Sequence, residues 1–187
     1  LQHLKEHLLH TDLHRDDRLF YFTTCGWMMW NWLVSGLASG ATLVLYDGSP
    51  TQPDYTALWR MADEEGITVF GTSARYLAGL AKSGVRPRDA CRLTSVRTVL
   101  STGSPLAPET FDYVYDAVKT DVQLSSISGG TDIVACFALR FRFGLGPRLV
   151  AITVAITVAI TVHGVAGVDL GDHTAHHIGS AAVQAIK

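Results

Sequence analysis

The sequence has few cysteines, and they form no recognisable pattern. Cys25, Cys91 and Cys136 lie far apart, and none belongs to a CxxC pair. Their odd number and scatter argue against a zinc site and against a disulfide framework, so we expect neither. Scattered thiols in odd number are typical of a reducing compartment, which predicts a cytoplasmic location.

An excess of positive charge is also lacking. The chain has 15 Lys and Arg against 17 Asp and Glu, a formal net charge of −2. Nucleic-acid binding and attraction to anionic membranes both require basic clusters. The composition therefore predicts neither a nucleic-acid partner nor a polybasic membrane patch.

Long hydrophobic runs are missing too. The longest, "LVAITVAITVAITV" at 149–162, has 14 residues, fewer than the ~20 that a membrane-spanning helix needs. The first residues, "LQHLKEHLLH", lack the pattern of a signal peptide. We predict no membrane span. Since the first residue is Leu1 rather than Met, we expect the chain to be a piece of a longer protein.

Several catalytic fingerprints are absent. The sequence contains no GxSxG, HExxH, GxxxxGK[ST] or GxGxxG. Serine-hydrolase, zinc-protease, P-loop and dinucleotide-binding motifs are thus excluded.

Strand-like and helix-like segments alternate along the first 139 residues. Apolar, β-prone runs predict strands, and longer amphipathic runs between them predict helices. The strands are predicted at 18–24, 41–48, 67–73, 96–103 and 122–128. The alternation predicts an α/β fold, a mostly parallel sheet with helices on both faces.

The first ten residues are predicted to form an amphipathic helix. Leu1, Leu4 and Leu8 share one face, and Lys5 and Glu6 point outward. The same helix carries three histidines at spacings of four and three, for which we expect an exposed face rather than a metal site. They are His3, His7 and His10.

Small polar residues follow the predicted strands. Their ends read "TTCGW" (23–27), "YDGSP" (46–50), "GTS" (71–73), "STGSP" (101–105) and "SGGTD" (128–132). The carboxyl ends of parallel strands meet at one edge, where ligands bind in α/β sheets. This edge is therefore the predicted binding site.

The tetrapeptide "GGTD" has the chemistry of a phosphate and magnesium site. Gly129 and Gly130 allow close approach, Thr131 offers a hydroxyl, and Asp132 offers a carboxylate. An ordinary turn explains the same residues, so both interpretations stay open on the residues alone.

Tryptophan and methionine cluster in "GWMMWNW" at 26–32. Most of these side chains are expected in the core, but Trp27 follows a glycine at a strand end and is a candidate for the wall of the site. The histidines at 173–177 lie in a polar tail and are expected to be solvated.

Three segments carry a resemblance to a known family. They are "RLFYFTTCGWMMWNWLVSGLASGATLVLYDGSP", "TVLSTGSPLAPETFDYVYDAVK" and "SSISGGTDI". Together they resemble the acetoacetate–CoA ligase branch of the adenylate-forming acyl-CoA synthetases. The resemblance implies a partial large N-terminal, AMP-binding domain that uses ATP, Mg²⁺, CoA and acetoacetate.

The resemblance also implies roles for the nucleotide-binding residues. Thr131 matches the contact to the α-phosphate, and Asp132 matches an acidic magnesium ligand that is usually glutamate. Three residues match the loop bordering adenine: Gly103, Ser104 and Pro105. Gly130 falls in the same nucleotide-binding segment.

The acyl pocket is implied in the same way. Trp27, Met28 and Thr102 match its wall, and Ser128 and Gly129 lie next to adenine and the acyl group. Related acetate enzymes carry a bulky aromatic where this chain has Gly129. We expect the freed volume to admit the longer acetoacetate.

The resemblance covers residues 1–139. Residues 140–187 do not match the family, which predicts a non-family tail from frameshift, misassembly or fusion. The family's phosphate loop and its small C-terminal domain with the catalytic lysine are not found in the sequence. We therefore expect a fragment with little activity alone. A non-catalytic nucleotide- or acyl-binding remnant and a sister ligase for another short or medium acid are the alternatives.

Overall fold

The main sheet has five parallel strands. The computed structural model describes residues 1–140 and 152–154. The strands are β1 Arg18–Tyr21, β2 Thr42–Val44, β3 Val69–Ser73, β4 Thr98–Thr102 and β5 Gln123–Ser126, in the order β2-β1-β3-β4-β5. All four pairings are parallel, which confirms the predicted α/β class.

Six α-helices occur among the described residues. They are α1 Gln2–Lys5, α2 Met28–Ser35, α3 Ala57–Glu64, α4 Ala74–Ser83, α5 Pro87–Ala90 and α6 Pro108–Tyr113. Single turns of other helix types extend three of them: Glu6–His10 after α1, Gly36–Ser39 after α2 and Val114–Val118 after α6. Within the described part of the chain, no helix has the length and apolar character to cross a membrane.

Strands β1, β3 and β4 are buried at successive positions, so their side chains are covered on both faces of the sheet. Face A carries Phe20, Phe70 and Val99 and is covered by α3, α4 and α6. There the rings of Trp59 and Phe70 stack with centroids 4.2 Å apart. Face B carries Leu19, Tyr21 and Val69, among others, and is covered by α2. Helices thus lie on both faces, as predicted.

A second, antiparallel sheet begins directly after β5. Its strands are β6 Ser128–Gly130, β7 Ala135–Arg140 and β8 Ile152–Val154. The predicted strand at 122–128 is therefore wrong in its extent, since the chain leaves the main sheet at Ile127. We call residues 128–140 the site hairpin. Of the "AITV" repeat, only Ile152–Val154 is described, and the rest of the predicted long strand lies outside the described residues.

The prediction for the first ten residues is wrong about which side is buried. Leu1 is fully exposed and Leu8 is 39% exposed, whereas Glu6 is 1% and His7 0% exposed. His10 is buried as well. Glu6 points inward because its carboxylate accepts a hydrogen bond from Nε1 of Trp32 at 2.9 Å. Specific polar partners thus override the apolar period.

His7 is a fully buried histidine that packs against Trp32. Its ring lies 4.1 Å, centroid to centroid, from that of Trp32. Its Nε2 lies 3.0 Å from the Trp32 carbonyl oxygen, to which it must donate. Burial lowers the pKa of His7 from 6.5 to about 4, partly opposed by this hydrogen bond. His7 is therefore neutral in the folded protein at pH 7.

Stability is expected to fall as the pH is lowered from 7 to 5. Between the unfolded pKa of 6.5 and the folded pKa of about 4, the unfolded chain binds more protons at this site, so stability rises with pH. The fall should be about 2 kcal/mol and should be reduced in His7→Gln, which keeps a donor for Trp32 but does not titrate. Urea unfolding at several pH values measures it.

Exposed His14 supplies the control for this experiment. His14→Gln should retain the steep pH dependence of the parent. A His7→Gln protein with the parent's slope would show that another group causes the pH dependence.

Candidate active site

The loops after β1 and β3 flank the point at which the strand order reverses. β2 lies on one side of β1, and β3, β4 and β5 lie on the other. The connecting helices accordingly separate, α2 onto face B and α3 and α4 onto face A. Such a reversal leaves a crevice beyond the carboxyl ends of the two central strands, where open α/β sheets bind ligands.

Trp27 stands at this crevice, directly before α2. Its ring meets that of Tyr21 edge-on, with centroids 6.1 Å apart. Gly103, just past β4, faces it from the neighbouring loop: a Cβ on Gly103 would lie 3.7 Å from Cζ2 of Trp27. Gly103 has φ +93°, a backbone conformation that favours glycine. The structure thus brings Trp27 and Gly103 together.

Thr102 joins the β4 loop to the start of the site hairpin. Its Oγ1 donates to the Ile127 carbonyl oxygen at 2.8 Å, and the Ile127 amide donates to the Ser101 carbonyl oxygen at 2.7 Å. These bonds tie Ile127, the residue before the site hairpin, to the end of β4. The Thr102 hydroxyl is thus already engaged as a donor, and its predicted place in the acyl pocket stays a prediction.

Gly129 lies against the backbone of β7. A Cβ on Gly129 would come 2.6 Å from the carbonyl oxygen of Ala135 and 3.3 Å from Cα of Cys136. The strand pairing shifts register between Ser128 and Gly129. Glycine is thus required here by close approach of two backbones, a reason separate from the predicted pocket volume.

Thr131 and Asp132 occupy the turn of the site hairpin, Thr131–Val134. The turn is closed by a hydrogen bond from the Val134 amide to the Thr131 carbonyl oxygen, 3.1 Å. Both side chains are exposed. In the described part of the chain, no group of three or more His, Cys, Asp or Glu could hold a metal ion. Asp132 is an exposed carboxylate in this turn, and its role toward a metal stays a prediction.

The remaining predicted residues lie along the same chain segments. Ser104 and Pro105 are exposed in the loop after Gly103, and Gly130 ends β6. Met28 is half-buried and packs against the face B core with Trp27. The structure gives the positions of these residues, and their roles stay predictions.

The sequence did not indicate the buried residues that lie beneath the crevice. Tyr21 is buried and donates from its hydroxyl to the Thr72 carbonyl oxygen at 3.1 Å. Burial raises its pKa well above the ordinary value, so the hydroxyl stays protonated. The hydroxyls of Thr72 and Ser101 are buried without a hydrogen-bond partner among the described residues. Only the Gly-Ser-Thr strand ends signalled these positions in the sequence.

Comparisons with known proteins give one consistent result. A model of the AMP-binding enzyme family matches residues 2–162. The acetoacetyl-coenzyme A synthetase of Rhizobium meliloti (strain 1021) is 61% identical over 139 residues, which are 74% of this chain and 21% of that protein. The malonamoyl-CoA synthetase of Penicillium aethiopicum is 50% identical over 153 residues, covering 74% of this chain and 21% of that protein.

A solved structure agrees with these relatives. The acetoacetyl-CoA synthetase from Streptomyces lividans superposes with a TM-score of 0.70 at 48% identity, covering 74% of this chain and 22% of that one. This chain spans about a fifth of the length of the curated relatives that it matches.

Proposed function

The chain belongs to the family of AMP-binding enzymes, and from that premise we propose that residues 1–139 form the acid- and phosphate-binding part of an ATP-dependent acetoacetate–CoA ligase. The observation that carries the proposal is the meeting of Trp27, Gly103 and the start of the site hairpin at one crevice. The match to the AMP-binding enzyme family covers residues 2–162, a range that includes all three segments.

The proposed reaction has two steps. A carboxylate oxygen of acetoacetate attacks the α-phosphorus of ATP, forming the acyl-adenylate and releasing pyrophosphate. The CoA thiolate then attacks the acyl carbon and displaces AMP. Catalysis of such transfers depends mainly on positioning and on stabilising charge at the phosphate.

Residues on the two sides of the crevice divide this work. Thr131 donates a hydrogen bond to an α-phosphate oxygen, and the Gly103 loop lies along the adenine. Trp27 and Met28 form the apolar wall beside the acyl group. Asp132 would hold the Mg²⁺ that accompanies ATP, and the ion would supply positive charge beside the phosphates. A cytoplasmic location remains part of the proposal.

A segment chimera tests the proposal. Residues 1–139 replace the matching segment of the Rhizobium meliloti synthetase, and acetoacetyl-CoA formation is measured from acetoacetate, ATP and CoA. We expect activity within about tenfold of the parent enzyme, a change of roughly 1.4 kcal/mol in barrier. A folded chimera that binds nucleotide but forms no thioester would favour the non-catalytic remnant.

A sister ligase is the second candidate, favoured by the similarity to a malonamoyl-CoA synthetase. Malonamate and acetoacetate have the same shape and differ in an amide NH₂ against a methyl group. An apolar wall at Trp27 and Met28 leaves the N–H donors unpaired, so acetoacetate should be preferred. Competition between the two acids in the chimera decides between the candidates.

Gly129 is expected to control both acid preference and the fit of the hairpin. Gly129→Trp should shift the chimera toward shorter acids, by a factor of about 10 to 100 in relative kcat/KM for acetate against acetoacetate. The measurement is kcat/KM for a series of acids.

Gly129→Ala is the matched control, because it adds the clash with Ala135 but little volume. If both variants lose activity equally for every acid, then Gly129 serves the backbone contact and does not select the acid.

A further inference from the structure

The returning strand of the site hairpin is held by the first helix of the chain. The amide of Cys136, in β7, donates to Oε1 of Glu6 at 3.0 Å. His3, one turn earlier, bonds through Nε2 to the carbonyl oxygen of Val134 at the end of the hairpin turn. We call His3 and Glu6 the N-terminal clasp. They reach across about 130 residues to the segment that follows Asp132.

Glu6 is fully engaged in this contact. It is 1% exposed. Oε1 accepts from Nε2 of Gln2 at 3.0 Å as well as from Cys136, and Oε2 accepts from Nε1 of Trp32 at 2.9 Å and from Sγ of Cys136 at 3.3 Å. Burial and the neighbouring Glu6 charge raise the pKa of the Cys136 thiol, which keeps its proton available to Glu6. Such charge-assisted bonds are strong and directional.

The Thr131–Val134 turn contains one residue in an unfavourable backbone conformation. Val134 has φ +48°, which is unfavourable for a β-branched residue and persists where the surroundings fix it. His3 grips the carbonyl of this same residue. Its Nδ1 lies 3.0 Å from Oγ of Ser35, at the end of α2.

The clasp therefore joins the two sides of the crevice. Through Trp32 and Ser35 it binds α2, the helix that begins beside Trp27, and through Val134 and Cys136 it binds the hairpin carrying Thr131 and Asp132. We propose that His3 and Glu6 are positioning residues that set the Thr131–Val134 turn for the nucleotide phosphates. The inference rests on the proposed function for the role of that turn.

Glu6→Gln is the sharpest variant. Each carboxylate oxygen of Glu6 accepts two donors, but glutamine has one oxygen, so its NH₂ must face a donor in either orientation. His3→Ala is the second variant, since half-exposed His3 can be removed with little risk to folding. Glu65→Gln is the matched control, because Glu65 is exposed and pairs with Arg18 at the opposite edge of the sheet.

Hydrogen exchange of the full chain is the first measurement. Amides of Val134 and Cys136 should exchange at least tenfold faster in Glu6→Gln and His3→Ala, and α3 and α4 should be unchanged. Glu65→Gln should match the parent. Unchanged exchange at both amides would overturn the proposed positioning, whatever the chain binds.

Binding of Mg·ATP and of adenosine to the same proteins is the second measurement. Glu6→Gln should raise the Kd for Mg·ATP about tenfold and the Kd for adenosine less than twofold, because the turn contacts only the phosphates. In an Asp132→Asn background the effect of Glu6→Gln should vanish. If the affinities for Mg·ATP and adenosine fall equally, or if neither changes, the clasp does not position the turn for the phosphates.

The two proposals fail in different ways. A parent chain that does not bind Mg·ATP at millimolar concentration counts against the proposed function, while the exchange rates still decide whether the clasp orders the turn. Binding by the parent with no change in exchange refutes the clasp alone.

Discussion

Adenylate formation is expected to fall by a factor of about 100 to 1000 when Asp132 is replaced by asparagine in the segment chimera, the range seen when one group that stabilises transition-state charge is removed. An amide cannot supply the negative charge that Mg²⁺ requires. ATP–pyrophosphate exchange measures this step without CoA. The magnesium concentration for half-maximal rate should rise as well.

Two further variants make the Asp132 result specific. Asp132→Glu keeps the carboxylate and matches the residue usual in related ligases, so it should retain most activity. Asp121→Asn removes an exposed carboxylate, 83% accessible, next to the amino end of β5 and should have no effect. An Asp132→Asn rate within threefold of the parent would remove Asp132 from the proposed mechanism.

Replacing Gly71 by alanine should destabilise the protein by about 3 kcal/mol, at the upper end for overpacking in a core. A Cβ on Gly71 would lie 2.0 Å from the ring of Tyr21. Tyr21 has nowhere to go, because its ring contacts Trp32 and Trp27 and its hydroxyl is bonded to Thr72. Urea unfolding followed by tryptophan fluorescence measures the loss.

Gly79→Ala is the matched control for this substitution. Gly79 lies inside α4, and a Cβ there would meet only Cε1 of Tyr55, at 3.8 Å. This variant should gain about 0.5 to 1 kcal/mol, since alanine favours the helix. Equal stability of Gly71→Ala and the parent would show that Tyr21 repacks freely and does not fix Trp27.

The main sheet could be predicted from the sequence because its signals are local. β1 to β4 each contain a short apolar run, and β3 and β4 begin within two residues of the predicted starts. Alternation with helices then leaves a parallel arrangement as the expected one. The carboxyl-edge position of Trp27 and Gly103 follows from the same rule.

The site hairpin and the clasp could not be predicted in this way. "SGG" has no apolar period, and it pairs because β7 returns against it at Ala135 and Cys136. The neighbours of Glu6 in sequence place it on a solvated helix face. Its burial depends on donors from Trp32 and Cys136, which are 26 and 130 residues away. No local pattern contains that information.

The inward carboxylate of Glu6 also determines the effect of removing the first ten residues. Deleting residues 1–10 would remove little buried apolar surface, since Leu1, Leu8 and Leu9 are all exposed. It would, however, leave an indole and a peptide amide without an acceptor in an apolar interior. The leading decapeptide is thus an internal component of the molecule, although it stands at one end of the sequence.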